Sequence, residues 1–99
     1  MIIEWMKQKV RTGKWDDLEK FEKKFVPIEN KLGFPPKRRL RGIIGPTYET
    51  LIIQRQWESL AQWEECWSKA FSDPNYNALG KEVDEYIESS QIEIYYVLP

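Results

Sequence analysis

The sequence predicts an α+β domain in which helices cover one face of a four-stranded antiparallel sheet. Three observations support this prediction. Apolar and polar residues alternate near both ends of the chain, as they do in strands. Two longer segments carry apolar residues at every third or fourth position, as amphipathic helices do. The 99 residues suffice for one hydrophobic core, so we expect a single domain over residues 1–99.

The first strand and the first helical segment fill the first third of the chain. Residues 2–10 alternate with apolar groups on both faces, which predicts a strand that is at least partly covered on each side. Residues 14–32 carry one apolar stripe and predict a helix of about five turns, which Pro27 would kink or split. Gly33 then ends this helix.

A hairpin is predicted for the middle of the chain. Residues 37–44 and 48–57 read as two strands, and Gly45-Pro46 marks the turn between them. The aliphatic run Leu51-Ile52-Ile53 is typical of a central strand covered on both faces.

The last part of the chain predicts a helix in two pieces and a final strand. Ser59 can cap the first piece, with Gln62 three residues later in a capping-box pattern. Asp73-Pro74 restarts the helix, and its apolar stripe continues to about Glu88. Residues 91–98 alternate and predict a strand.

The order of these elements is the βαββαβ arrangement of ferredoxin-like folds, with helices on one face of the sheet. The opposite face would then carry several large apolar residues and lie uncovered. They are drawn from Trp5, Met6, Ile43, Leu51, Ile53, Tyr95 and Val97. Because large exposed apolar patches usually mark interfaces, we predict a homodimer in which two sheets pack face to face.

Composition limits the chemistry. The chain has no histidine and one cysteine, Cys66, so it lacks the commonest general base and metal ligand and cannot form an internal disulfide. We expect no metal site and no cofactor. No apolar run approaches the ~20 residues of a membrane span, and the first residues do not resemble a secretory signal. We therefore expect a cytoplasmic protein with no membrane partner.

Four short motifs resemble NIPSNAP-like members of the dimeric α/β-barrel superfamily. These are Gly33-Phe34-Pro35-Pro36-Lys37-Arg38-Arg39, Trp57-Glu58-Ser59-Leu60-Ala61, Asp73-Pro74 with Tyr76, and Glu93-Ile94-Tyr95. The resemblance implies two ferredoxin-like subunits whose sheets form a barrel, in some members around a cavity. The superfamily includes cofactor-independent monooxygenases, haem-degrading enzymes and proteins without known activity, so the fold alone does not assign a reaction. The haem-degrading members hold iron through a histidine, which this chain lacks.

The basic run Lys37-Arg38-Arg39 with Arg41 is the most conspicuous charged motif. On a strand, Arg39 and Arg41 share one face and Arg38 takes the other. The run can protect an edge strand or form dimer salt bridges, or bind a small anion, or bind nucleic acid. The third strand lacks the glycine and aromatic pattern of RNA-recognition domains, so we expect no nucleic-acid partner.

The near-neutral net charge of −1 conceals an asymmetry between the two halves of the chain. Residues 1–50 carry a balance of +5 and residues 51–99 a balance of −6. We expect these charges to meet where the halves, or two copies of the chain, pack together.

Polar side chains on strands and one tryptophan supply the candidate site. Strand polar groups must pair if they point into a barrel, either in a structural network or around a polar substrate. Trp63 and Trp67 lie four residues apart and read as core, whereas Trp5 lies on a strand and can line a cavity. The candidate ligand-binding residues are Trp5, Arg39, Arg41, Glu93 and Tyr95.

The resemblance and these residues together predict an uncharacterised NIPSNAP-like homodimer with a small-molecule cavity between its sheets. The alternative is a cofactor-independent monooxygenase-like enzyme that acts on a small aromatic metabolite. The sequence assigns no catalytic residue.

Overall fold

The computed structural model describes all residues from 1 to 99 and contains one four-stranded sheet, with neighbouring strands antiparallel. The strands are β1 (Ile2–Val10), β2 (Lys37–Arg41), β3 (Thr50–Trp57) and β4 (Ile87–Tyr96). Their order across the sheet is β2-β3-β1-β4. The helices connect β1 to β2 and β3 to β4, so the predicted ferredoxin-like α+β arrangement is confirmed.

The first helical segment is two helices, α1 (Trp15–Glu22) and α2 (Phe25–Leu32), instead of one. The break falls at residues 23–24, so Pro27 lies in the first turn of α2. There its missing N–H leaves no helical hydrogen bond unmade. Gly33 ends α2 with a φ of 85°, in the left-handed region that glycine adopts without strain.

The second helical segment is α3 (Leu60–Phe71) followed by α4 (Pro74–Glu82). The predicted caps are confirmed: Ser59 Oγ accepts from the Gln62 amide at 3.1 Å, and Asp73 accepts from the Tyr76 amide at 2.9 Å. The predicted helical end near Glu88 is wrong. After a short 3₁₀ turn over Val83–Glu85 the chain enters β4 at Ile87, which pairs with Val10 of β1.

The β2–β3 hairpin has shorter strands and a longer loop than predicted. Residues 42–49 form the loop, in which Ile43 and Ile44 are exposed rather than part of a strand. Gly42 explains the change, because a Cβ built on it would lie 1.7 Å from the Thr47 carbonyl oxygen. Only glycine allows the chain to turn so tightly there. β3 is an interior strand, as predicted, and its residues 50–53 are all buried, although helices cover only one of its two faces.

The two faces of the sheet differ in what covers them. Even-numbered residues of β1 and odd-numbered residues of β3 face the helices, and they include Ile2, Val10, Leu51 and Trp57, which are buried. Met6, Leu51 and Ile53 therefore belong to the helix face, and the expectation that they contribute to the uncovered face is wrong. Ile43 lies in the hairpin loop, which removes it from the sheet altogether.

Candidate functional site

The uncovered face of the sheet brings three of the predicted site residues together. Strand pairing places Arg38, Gln54, Trp5 and Glu93 in one row across all four strands. Tyr95 follows Glu93 by two residues on the same face of β4. The rings of Trp5 and Tyr95 meet edge to face with their centroids 5.7 Å apart. The predicted group of Trp5, Glu93 and Tyr95 is thus a contiguous surface patch.

Lys7 completes this patch, although the sequence did not single it out. Lys7 and Glu93 form a close ion pair, and the Tyr95 hydroxyl donates to Glu93 Oε2 at 2.9 Å. The Lys7 ammonium also lies 5.8 Å from the Trp5 ring centroid. The signal for Lys7 was its position two residues after Trp5, which puts both side chains on one face of a strand.

These contacts alter the ionisation of the three polar groups. Hydrogen bonds from Lys7 and Tyr95 lower the pKa of the Glu93 carboxyl. The hydrogen bond to Glu93 raises the pKa of both Lys7 and the Tyr95 phenol. At neutral pH the group therefore consists of a carboxylate, an ammonium and a neutral phenol.

An open cleft adjoins the patch at the β2–β3 side of the same face. Its volume is about 330 Å³, and its lining includes Ile3, Arg38, Gln54 and Gln56. The Arg38 side chain is exposed, whereas Arg39, Arg41 and Arg55 all form ion pairs with carboxylates. The cleft thus presents a guanidinium and two amides beside the aromatic pair.

Arg39 and Arg41 do not join this patch. The alternation along β2 turns both toward the helices, away from Trp5 and on the opposite face from Arg38. Arg39 binds Glu19 at 2.8 Å and Glu22 at 2.9 Å. The structure therefore separates the five predicted ligand-binding residues into two groups on opposite faces of the sheet.

Arg41 is held in the same way. Its guanidinium stacks 4.2 Å from the Trp15 ring centroid and makes bonds of 2.9 Å to both carboxylate oxygens of Glu49. Glu49 itself has a φ of 55°, and Arg41 fixes its side chain at the end of the hairpin loop. The role of Arg41 in this structure is to brace that loop.

A chain of buried and half-buried charges lies between the sheet and helices α1 and α2. Strand pairing places Lys37, Arg55 and Glu4 in one row across the helix face, and acids from the helices pair with them. Its ion pairs, in order, are Glu19–Arg39, Arg39–Glu22, Glu22–Lys37, Lys37–Glu29, Glu29–Arg55 and Arg55–Glu4. The sequence did not predict this chain of ion pairs, because it did not show which helix acids face the sheet.

Most of these pairs lie within the first half of the chain. Lys37, Arg39 and Arg41 all bind acids of residues 1–50. The expectation that the charge asymmetry reflects packing between the two halves is therefore wrong for the basic run. Lys7–Glu93 and Lys9–Glu88 are pairs that do cross between the halves.

Glu4 is the acceptor for three tryptophan side chains. Its carboxylate accepts from the indole N–H of Trp63 at 2.6 Å, of Trp67 at 2.9 Å and of Trp57 at 3.3 Å. Glu4 is fully buried, and the Arg55 guanidinium lies 3.8 Å away. The prediction that Trp63 and Trp67 serve the core is consistent with this arrangement, and their polar edges converge on a single carboxylate.

The remaining features of the chain do not add to the patch. Cys66 is buried, and burial raises the pKa of its thiol, as expected for an unreactive core cysteine. The structure has no group of three or more cysteine and acidic side chains placed to hold a metal ion. No helix has the length and apolar character needed to span a bilayer.

Sequence comparisons find neither a matching family model nor a matching curated protein. Solved structures do match. An uncharacterised NIPSNAP domain protein from Burkholderia xenovorans has a TM-score of 0.86 at 13% identity, over 99% of this chain and 95% of that one. A NIPSNAP family protein from Agrobacterium tumefaciens has a TM-score of 0.82 at 26% identity, over 99% of this chain and 84% of that one.

A further match extends the likeness beyond proteins described as NIPSNAP. A putative antibiotic biosynthesis monooxygenase from Nitrosomonas europaea has a TM-score of 0.72 at 13% identity and covers 100% of both chains. Identities this low show a common fold, not a common activity. The resemblance inferred from the sequence is confirmed at this level: the chain is similar in structure to solved NIPSNAP proteins and shares their fold.

Proposed function

We propose that the chain acts as a homodimer in which the uncovered faces of two sheets pack together and enclose a small-molecule site. Trp5, Glu93 and Tyr95 would line the space between the sheets, with Lys7 beside them. The single observation that carries the proposal is this patch, in which an edge-to-face aromatic pair adjoins an ion pair on a face that no helix covers. A reducing cytoplasm is the compartment we propose, because it suits the free thiol of Cys66.

The need for a second copy follows from the shape of the chain. The molecule measures 37 × 36 × 18 Å, and its smallest dimension, 18 Å, is the thickness of one sheet and one helix layer. A sheet that bears large apolar residues on both faces is stable when both faces are covered. Ile3, Trp5 and Tyr95 would be removed from water by a second sheet, whose mean plane would lie about 10 Å away.

The cleft beside the patch supports a ligand in the same space. Its volume of about 330 Å³ lies within the range of roughly 300–1,000 Å³ of small-molecule sites. A second sheet would close its open side. Aromatic surface from Trp5 and Tyr95, with hydrogen-bonding groups at both edges, suits a small aromatic molecule that carries hydroxyl groups.

The alternative, a monooxygenase-like enzyme, needs a group that removes a proton from the aromatic substrate. Glu93 is the carboxylate nearest the aromatic pair, but the lowered pKa makes it a weak base near neutral pH. The patch therefore lacks an effective base at neutral pH, which favours binding over catalysis. Because the fold is also similar to that of the putative monooxygenase from Nitrosomonas europaea, the experiment below includes a test for oxygen consumption.

Sedimentation equilibrium tests the dimer. We expect the wild-type protein at micromolar concentration to show twice the 11.9 kDa mass of one chain. Trp5→Asp places a charge in the proposed interface and should yield a folded monomer. Val26→Asp makes the same kind of change on the outer surface of α2 and should leave the dimer intact. A wild-type monomer across this range would refute the proposal.

Hydroquinone is a suitable probe for the site, since it is a small electron-rich aromatic compound with two hydroxyl groups. Saturation-transfer NMR should show binding to the wild-type dimer and a clear loss in Tyr95→Ala, with no oxygen uptake in an oxygen electrode. Oxygen uptake that disappears in Glu93→Gln would support the enzyme instead. Equal saturation transfer to hydroquinone from the wild-type protein and from Tyr95→Ala would contradict the proposed site.

A further inference from the structure

A second cavity lies on the other side of the sheet, beneath α4. It has a volume of about 30 Å³, and ten residues from β1, β3 and the helical layer line it. Half of this lining is polar or charged: Gln8, Glu22, Glu29, Arg55 and Tyr76. The cavity belongs to one chain and shares none of its lining with the patch formed by Trp5, Lys7, Glu93 and Tyr95.

Two buried polar atoms of this lining have no hydrogen-bond partner. They are the carbonyl oxygen Oε1 of Gln8 and Nε of Arg55. Gln8 is 8% exposed and Arg55 is 2% exposed, so bulk water does not satisfy either atom. Buried polar groups are nearly always paired in folded proteins, because leaving one unpaired is costly. One free acceptor and one free donor therefore belong to residues that meet at the same small cavity.

The phenol of Tyr76 adds a third polar group at the cavity. Tyr76 is part of α4, none of whose residues is fully buried. Burial of the phenol and the nearby Glu29 carboxylate raise its pKa far above the usual range, so it stays neutral. It can donate or accept one more hydrogen bond at the side of the cavity opposite the sheet.

We infer that this cavity is a binding site for a small neutral group that both donates and accepts hydrogen bonds, such as a hydroxyl or a carboxamide. Such a group would donate to Gln8 Oε1 and accept from Arg55 Nε. It is the complement of the two unpaired atoms, and it places no charge among the ion pairs.

The surrounding charges select against ions. The charged groups of the lining are two carboxylates, Glu22 and Glu29, and one guanidinium, Arg55, so the wall carries one net negative charge that disfavours an anion. A cation offers no acceptor to Arg55 Nε, and the two carboxylates of the wall, Glu22 and Glu29, already pair with Lys37 and Arg55. A neutral occupant avoids both penalties.

The volume limits the size of the occupant. A water-sized group occupies about 10–15 Å³ on this measure, so the cavity accepts about two to three such groups. Formamide, with three non-hydrogen atoms, is therefore a suitable probe, whereas an aromatic ring is far too large. Two water molecules would satisfy the same atoms, so the experiment has to distinguish binding of formamide from occupation by water.

Titration with formamide, followed by NMR at the Arg55 Nε–H and Gln8 side-chain amide resonances, tests the inference. We expect saturable shifts in wild type. Gln8→Met keeps the size of the side chain and removes the acceptor, so binding should weaken by about fivefold or more. Gln91→Met, which makes the same change at an exposed position of β4 outside both proposed sites, should bind as wild type does. Formate at equal ionic strength should produce no saturable shift.

Several outcomes would overturn the inference. Shifts that stay linear with formamide concentration would mean that water alone occupies the cavity, and equal affinity in Gln8→Met would exclude the proposed contacts. Saturable binding of formate would contradict selection for a neutral group. If circular dichroism shows that Gln8→Met is unfolded, Tyr76→Phe serves in its place, and we expect weaker formamide binding. The Trp5→Asp monomer should still bind formamide, so failure of the dimer proposal would be distinguishable from failure of this one.

Discussion

Replacing Glu4 by glutamine tests the most unusual contact in the core. The change preserves the shape of the side chain but removes its charge and converts one carboxylate oxygen into an NH₂ group. Trp63 and Trp67 share Oε2 and can keep an oxygen acceptor. Trp57 uses Oε1, so its indole N–H would then face the N–H groups of the new amide. Arg55 would lose one of its two carboxylate neighbours.

The magnitude follows from these three losses. One charge-assisted hydrogen bond contributes about 1.5–3 kcal/mol, and the two surviving bonds become neutral and weaker by roughly half. These weakened bonds together cost about as much again as the lost one, whereas Arg55 keeps its closer partner Glu29 at 2.5 Å, so the loss of its 3.8 Å contact with Glu4 adds little. We therefore expect Glu4→Gln to lower the free energy of unfolding by about 3–6 kcal/mol.

Urea unfolding monitored by far-ultraviolet circular dichroism measures this change at a fixed protein concentration, because dimerisation would otherwise shift the midpoint. Glu64→Gln provides the matched control on the exposed side of α3 and should change the stability by less than about 0.5 kcal/mol. A loss below about 1 kcal/mol in Glu4→Gln, indistinguishable from the control, would refute the argument that the carboxylate anchors three tryptophans.

The remaining predictions concern backbone, thiol and surface groups. Gly42→Ala should destabilise the fold by about 1–3 kcal/mol, because the added Cβ would collide with a backbone carbonyl. Gly80→Ala should stabilise α4 by about 0.5–1 kcal/mol, because the space around this helical glycine is open. Urea midpoints decide both, and equal effects would contradict the geometry. Cys66 should react with a disulfide reagent near pH 8 at least about tenfold more slowly in the folded protein than in urea, and equal rates would show an accessible thiol. The contact with Lys7 lowers the pKa of Glu93 in the folded protein. The ionised Glu93 therefore stabilises the fold at pH values above its pKa in the unfolded chain, and this stabilisation is lost as the pH falls through its pKa in the folded protein. In Glu93→Gln the free energy of unfolding should therefore depend less on pH in the acidic range. The same pH dependence as in wild type would contradict the pairing of Lys7 with Glu93.

The fold could be predicted because each element carries a local signal. Alternation, helical periodicity and the caps at Ser59 and Asp73 are properties of neighbouring residues, and the structure keeps all of them. Boundaries failed where tertiary pairing overrode the local pattern. Tyr86 and Ile87 continue a helical stripe in the sequence, yet Ile87 pairs with Val10 and starts β4.

The candidate site could be predicted only in part, for a similar reason. Trp5, Glu93 and Tyr95 came together because strand alternation and pairing order both follow from the pattern. The face of the sheet on which Arg39 and Arg41 lie depends on how β2 pairs with β3, residue by residue. A short strand of mostly basic residues has no apolar pattern that would fix this register. Their acid partners lie on helices whose rotation about their own axes is set by the whole core.

The dimer is the central claim, and contacts between copies test it most directly. A sample mixed from isotope-labelled and unlabelled chains permits NMR detection of nuclear Overhauser effects between copies alone. We expect such effects at Trp5, Ile52 and Tyr95 on the uncovered face, and none at Phe21 or Trp67 on the helix face. Effects confined to the helix surfaces, or none at any residue at concentrations where the protein is dimeric, would contradict face-to-face packing of the sheets.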